Sequence, residues 1–185
     1  RDFRETRLMS ERILGVDPGT VRTGHGVLEV DGLNATYVTS GVVTAGRSLP
    51  LERRLWRIYQ GLLEVVEREK PVEVAMEEAF VPEARGAWGE ARSSVRSAMA
   101  VGQAGAMAML AAAAHDIPTF RYSPAQVKSA VAEYGRSSKE QVQEMVRLTL
   151  GLEKAPQPSD AADALAVALC HLRQQRMAEL LRAGV

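Results

Sequence analysis

Ile13-Leu14-Gly15-Val16-Asp17-Pro18-Gly19-Thr20 is the stretch on which the fold turns. Four apolar residues in a row, ended by Asp-Pro-Gly, read as a short buried strand running into a tight turn. Working outward, residues 23–30 and 37–44 have strand character, and Asp31-Gly32 supplies turn chemistry between them, so the chain opens with an antiparallel meander. Leu51, Leu55, Ile58, Leu62 and Val65 then recur at helical spacing until Lys70-Pro71 stops the helix. Residues 72–76 return to strand, residues 82–97 read as polar and irregular, and a helix of small residues follows to Ala114. Residues 119–122 form a fifth strand. Ser123-Pro124-Ala125-Gln126 and Ser138-Lys139-Glu140-Gln141 are capping boxes that open two helices, the second ended by Gly151, and Ser159 opens a last helix to about Leu181.

Three strands, then alternating helix and strand, then helices, define an α/β chain with a mixed five-stranded sheet flanked by helices. Residues 1–11 read as an N-terminal tail, with Met9 as a natural start, and residues 12–182 as one domain. Of 185 residues, 46% are hydrophobic and 25% charged, which excludes a disordered or fibrous chain. The 23 basic and 23 acidic residues cancel, so any nucleic-acid surface must be local. The longest weakly polar run, residues 98–114, is Ala, Gly and Met broken by Gln103; it suits a buried helix rather than lipid, and no membrane partner is expected. The lone Cys170, in an apolar run, fits a core thiol in a reducing, cytoplasmic setting.

The chemistry lies with the acids. Asp17 follows a wholly apolar strand, at the end where α/β sheets carry their sites, although Asp is equally at home in a turn before Pro-Gly. Glu77 closes another strand beside Glu78, and the sequence does not choose between them. Asp160 and Asp163 share a helix face at i and i+3, where they could also simply complement the helix dipole. Four carboxylates converging from separated segments would repel one another, raising pKa values or recruiting cations. Oxygen ligands of this kind favour Mg²⁺ or Mn²⁺, and His25, His115 and His171 show no zinc-ligand spacing. His25 could line the site.

The opening stretch, continued by Thr23-Gly24-His25-Gly26-Val27, resembles the start of the RuvC family of Holliday junction resolvases. Ala75-Met76-Glu77-Glu78-Ala79-Phe80, Val101-Gly102-Gln103-Ala104, Pro124-Ala125-Gln126-Val127-Lys128 and Asp160-Ala161-Ala162-Asp163-Ala164-Leu165-Ala166 follow in the family's order. The resemblance implies a ribonuclease H-like fold and a homodimer that nicks four-way DNA junctions symmetrically, leaving 5′-phosphate and 3′-hydroxyl ends. It implies that Asp17, Glu77, Asp160 and Asp163 bind two Mg²⁺ per subunit, with Mn²⁺ as a substitute, and that a RuvA–RuvB branch-migration complex is a partner. Lys128 and Lys139 match lysines that touch DNA phosphate, Lys128 also assisting catalysis, and Phe80 matches an aromatic that stacks on a base. After Phe80 the chain departs from the family pattern, and Arg85, Arg92 and Arg96 are candidate DNA contacts there.

Other readings make different demands. The Asp-x-Gly-Thr turn also occurs in sugar kinases, actin and Hsp70-type ATPases, which need a second phosphate loop and an adenosine motif that this chain lacks. A YqgF-type nuclease acting on RNA shares the opening but fits residues 160–166 less well. A junction binder without activity would not need all four acids. Gly24 and Gly26 would either admit DNA to the backbone or mark a bulge. The helix around Met99 to Met109 would either contact a second subunit or pack inside the monomer.

Overall fold

The computed structural model describes residues 10–32, 34–79, 88–131 and 138–184, with the backbone alone over 88–94. Five strands form one sheet: β1 (Glu11–Asp17), β2 (Arg22–Asp31), β3 (Asn34–Thr44), β4 (Glu73–Glu77) and β5 (Thr119–Tyr122). The helices are α1 (Leu51–Glu69), α2 (Trp88–Ala113), α3 (Pro124–Val131), α4 (Lys139–Thr149) and α5 (Ser159–Ala183). The strand order is β3-β2-β1-β4-β5. The first three strands pair antiparallel, as the Asp31-Gly32 turn implies, while β4 and β5 run parallel to β1. This is the ribonuclease H-like arrangement.

β1 is central and covered on both faces, which is why its sequence is a continuous apolar run rather than an alternating one. Leu14 and Val16 join Val27, Val74 and Met76 in a core closed by α1 and α2. Ile13 joins Leu28, Ala75 and Tyr122 in a second core under α3, α4 and α5. Helix α5 is the deepest, with Leu165, Ala166, Ala168 and Cys170 fully buried. It comes so close because the strands beneath it carry no side chain at Gly15, Gly24 and Gly26. A Cβ on Gly15 would strike the Ala164 carbonyl oxygen, and one on Gly24 would strike that of Asp160. Gly24 and Gly26 therefore serve helix packing, Gly26 facing Leu165, rather than approach by DNA. The irregularity in the β2–β3 ladder lies further on, between Val27 and Leu28.

Both capping boxes form. Gln126 Oε1 accepts from the Ser123 backbone N–H, and Ser123 Oγ accepts from that of Gln126; Ser138 and Gln141 make the same reciprocal pair at α4. One boundary differs from the sequence expectation: α2 begins at Trp88, so residues 88–97 are helical rather than irregular. Val95, Arg96 and Ser97 are exposed, so this stretch carries no buried stripe by which its period could be read. On the α5 side a buried polar chain ties three elements together. Tyr122 Oη lies 2.6 Å from His171 Nδ1, and His171 Nε2 lies 2.8 Å from Glu73 Oε2. Gln175 Nε2 donates to the same carboxylate oxygen at 2.6 Å.

Candidate active site

Side-chain alternation sends every second residue of β1 toward α5: Ile13, then Gly15, then Asp17. The parallel register pairs Gly15 with Ala75 and Val16 with Met76, and the same step sets Asp17 beside Glu77. Two carboxyls thus end neighbouring buried strands on one face. The first turns of α5 lie over that face, held by the contacts at Gly15 and Gly24, and they deliver Asp160 and Asp163. Burial, followed by the charges of Asp163, Glu77 and Asp160, pushes the Asp17 carboxyl up to about 7. Glu77 is raised by burial and then by Asp163, with Lys128 and Lys139 opposing the rise. Asp163 is also raised by burial, against a hydrogen bond and charge from Lys139. The four acids the sequence singled out therefore share one electrostatic centre.

Glu77, and not Glu78, belongs to it. Glu78 lies just beyond β4, is exposed, and faces Arg121 at 3.6 Å. Two cations close the rim. Lys139 Nζ lies 2.6 Å from Asp163 Oδ2 at the start of α4, where the Ser138 cap fixes the helix entrance. Burial pulls the Lys139 ammonium down, but the bond to Asp163 and the charges of Asp163, Asp160 and Asp17 outweigh it and hold its pKa above the ordinary value. Arg22 Nη2 lies 2.9 Å from Asp160 Oδ2. Sequence reading missed Arg22, yet strand alternation carried a signal, because Arg22 shares a face with Gly24 two residues on. Among the described residues, no three Asp, Glu, His or Cys side chains already stand at the spacing of a metal cage.

The loop after β1 is tied by Thr23, whose Oγ1 donates to the Gly19 carbonyl at 2.8 Å and accepts from the Gly19 N–H at 3.4 Å. Lys128 is exposed on α3, near enough to Glu77 to act on its carboxyl. Arg96 is exposed on α2. Phe80, Arg85 and the side chain of Arg92 lie outside the described residues. His25 does not line the site. It alternates to the opposite face from Gly24, packs over Gly41, and burial lowers its pKa. Cys170 is a core thiol, pushed up to about 11 by burial.

Comparison with known proteins gives a consistent result. Residues 13–171 match the family model described as crossover junction endodeoxyribonuclease RuvC. The chain is 47% identical over 173 residues to a protein of that name from Dehalococcoides mccartyi, covering 94% of this chain and 98% of that one. It is 44% identical over 167 residues to the Thermotoga maritima protein of the same name, covering 90% and 94%. Thermus thermophilus RuvC, solved in complex with a Holliday junction substrate, superposes with a TM-score of 0.77 at 38% identity, covering 91% of this chain and 96% of that chain. With a family model matched over most of its length, close relatives of one name and a shared fold, the chain belongs to the RuvC family of crossover junction endodeoxyribonucleases.

Proposed function

We infer that the protein is a Holliday junction resolvase of recombination and DNA repair, a structure-selective endodeoxyribonuclease that nicks four-way junctions symmetrically. The observation that carries this reading is the convergence of Asp17, Glu77, Asp160 and Asp163, from β1, β4 and α5, where burial first and the neighbouring carboxylates second raise Asp17 to about 7. Such crowding disfavours the fully charged site unless cations are supplied. The family implies divalent-metal dependence, and the donors fit it: all are carboxylate oxygens, suited to hard ions such as Mg²⁺ or Mn²⁺. Asp17, Glu77, Asp160 and Asp163 would hold two Mg²⁺ per subunit, and the ions, when bound, would supply activation of a water nucleophile and charge stabilisation for the leaving 3′ oxygen.

The remaining work falls to the protein. The acids on β1 and β4 are fixed by the sheet, and those on α5 by its packing on Gly15 and Gly24, so the carboxylates keep their places as the scissile phosphate arrives. Lys128, beside Glu77, offsets charge building on the phosphate, and Lys139 supplies a second cation for the backbone. Phe80, Arg85, Arg92 and Arg96 extend the DNA contact. The products carry 5′-phosphate and 3′-hydroxyl ends, which a ligase can seal.

A four-way junction has approximate two-fold symmetry, so an isologous homodimer gives each of two like strands its own site. Helix α2 supports that assembly. Ala104, Ala108, Ala111 and Ala112 pack inward, while Val95, Met99 and Leu110 stay exposed at helical spacings that put them on one face. Among the described residues no helix is long and apolar enough to cross a membrane. We assign the protein to the cytoplasm, residues 12–182 to a single nuclease domain, and RuvA–RuvB to its partners. Incubation with Mg²⁺ and a synthetic four-way junction should give paired symmetrical nicks, with linear duplex, single-stranded DNA and RNA spared. Binding without cutting under Mg²⁺ or Mn²⁺ would overturn the enzymatic reading, and RNA cleavage would overturn the substrate.

A further inference from the structure

Asp160 differs from the other three acids in its local partner. Its carboxylate is held by Arg22, from the first position of β2, with Nη2 to Oδ2 at 2.9 Å. The pairing follows from the sheet. Arg22 and Gly24 share a face of β2; Gly24 lies against the Asp160 backbone, so a long side chain two residues earlier reaches the Asp160 carboxylate. The guanidinium stands at the rim, with the Arg22 side chain 45% exposed and that of Asp160 24% exposed. An ion pair this open is weak, because water screens it and two flexible side chains must be ordered to make it. A divalent ion arriving at Asp160 can therefore displace it, and the freed guanidinium is a planar, always charged fork suited to a phosphate.

We propose that Arg22 is a positioning residue of the carboxylate centre: it neutralises Asp160 until a divalent cation takes that carboxylate, and then turns to a phosphate of the DNA strand over the site. This rests on reading the centre as a metal-dependent nuclease site. Metal binding and DNA engagement are coupled in it through one side chain. The cation must compete with Arg22, and by winning it releases a phosphate ligand. Lys139 on Asp163 has the same form, so each α5 acid carries an internal cation drawn from a different element.

Mn²⁺ titrated calorimetrically into the DNA-free protein, together with the variants Arg22→Ala and Arg22→Lys, tests the first half. Arg22→Ala should bind Mn²⁺ about two- to five-fold more tightly than wild type, and Arg22→Lys should fall between them. Junction binding measured across a salt series tests the second. In Ca²⁺ without Mg²⁺, Arg22→Ala should lower the slope of log K against log salt by about one, the signature of one lost phosphate contact. In EDTA the slopes of wild type and variant should coincide, and a merely structural defect would move both. If wild type binds Mn²⁺ and Arg22→Ala binds it no better, the competition is refuted. Equal slopes in Ca²⁺ refute the phosphate contact. A wild type that binds no Mn²⁺ overturns instead the metal-centre reading on which the proposal stands.

Discussion

Without a divalent cation, Asp17 keeps its carboxyl protonated up to about pH 7, because burial and three neighbouring acids oppose its charge. The unfolded chain ionises it near 3.8, so between these values the folded state holds the extra proton. Stability is therefore greatest at the acid end of that window and falls as pH rises through the folded value. In EDTA the protein should melt lower at pH 8 than at pH 5, with Glu77 and Asp163 adding to the trend. Asp17→Asn removes the largest share of that strain. It should raise the melting temperature at pH 8, nearly match wild type at pH 5, abolish cleavage and keep junction binding. Calorimetry at the two pH values, with a nicking assay, checks this; retained cutting would remove Asp17 from the site. Lys128→Ala should slow cleavage by an order of magnitude or more while leaving the melting curve almost unmoved, since the ammonium is exposed. An unchanged rate would take Lys128 out of the mechanism.

At the scale of elements, the site depends on how closely α5 lies on the sheet. Gly24→Ala places a methyl group against the Asp160 carbonyl oxygen, and the helix must lift. Chemical denaturation should show a loss of about 1–3 kcal/mol, as overpacking usually costs. Cleavage should fall further than stability does, because the displaced segment carries two of the acids. What could be read in the sequence here was whatever is local. Ser123 and Ser138 announce their helices because each cap is closed by a glutamine three residues on. The continuous apolar run of β1 marks a strand buried on both faces. The start of α2 was illegible because residues 95–97 are solvated and show no period. The choice of Glu77 over Glu78 depends on the register with β1, and the Arg22–Asp160 pair on a helix far later in the chain. The first leaves no trace in neighbouring residues, and the second only the face that Arg22 shares with Gly24.

For the whole molecule, the exposed face of Val95, Met99 and Leu110 on α2 is the surface that a two-fold partner would cover. Met99→Glu with Leu110→Glu should convert a dimer into a monomer in multi-angle light scattering, and paired nicking into single, uncoordinated cuts. A variant that remains dimeric would place the interface elsewhere. The buried chain of Tyr122, His171, Glu73 and Gln175 has a wider bearing. It joins the middle of α5 to the beginning of β4, whereas Asp163 meets Glu77 at that strand's end. A helix anchored at one end of a strand cannot relieve crowding at the other by sliding along it. Charge pressure at the carboxyls has no mechanical escape, so it is answered chemically, by the proton that Asp17 retains and by the cations of Lys139 and Arg22.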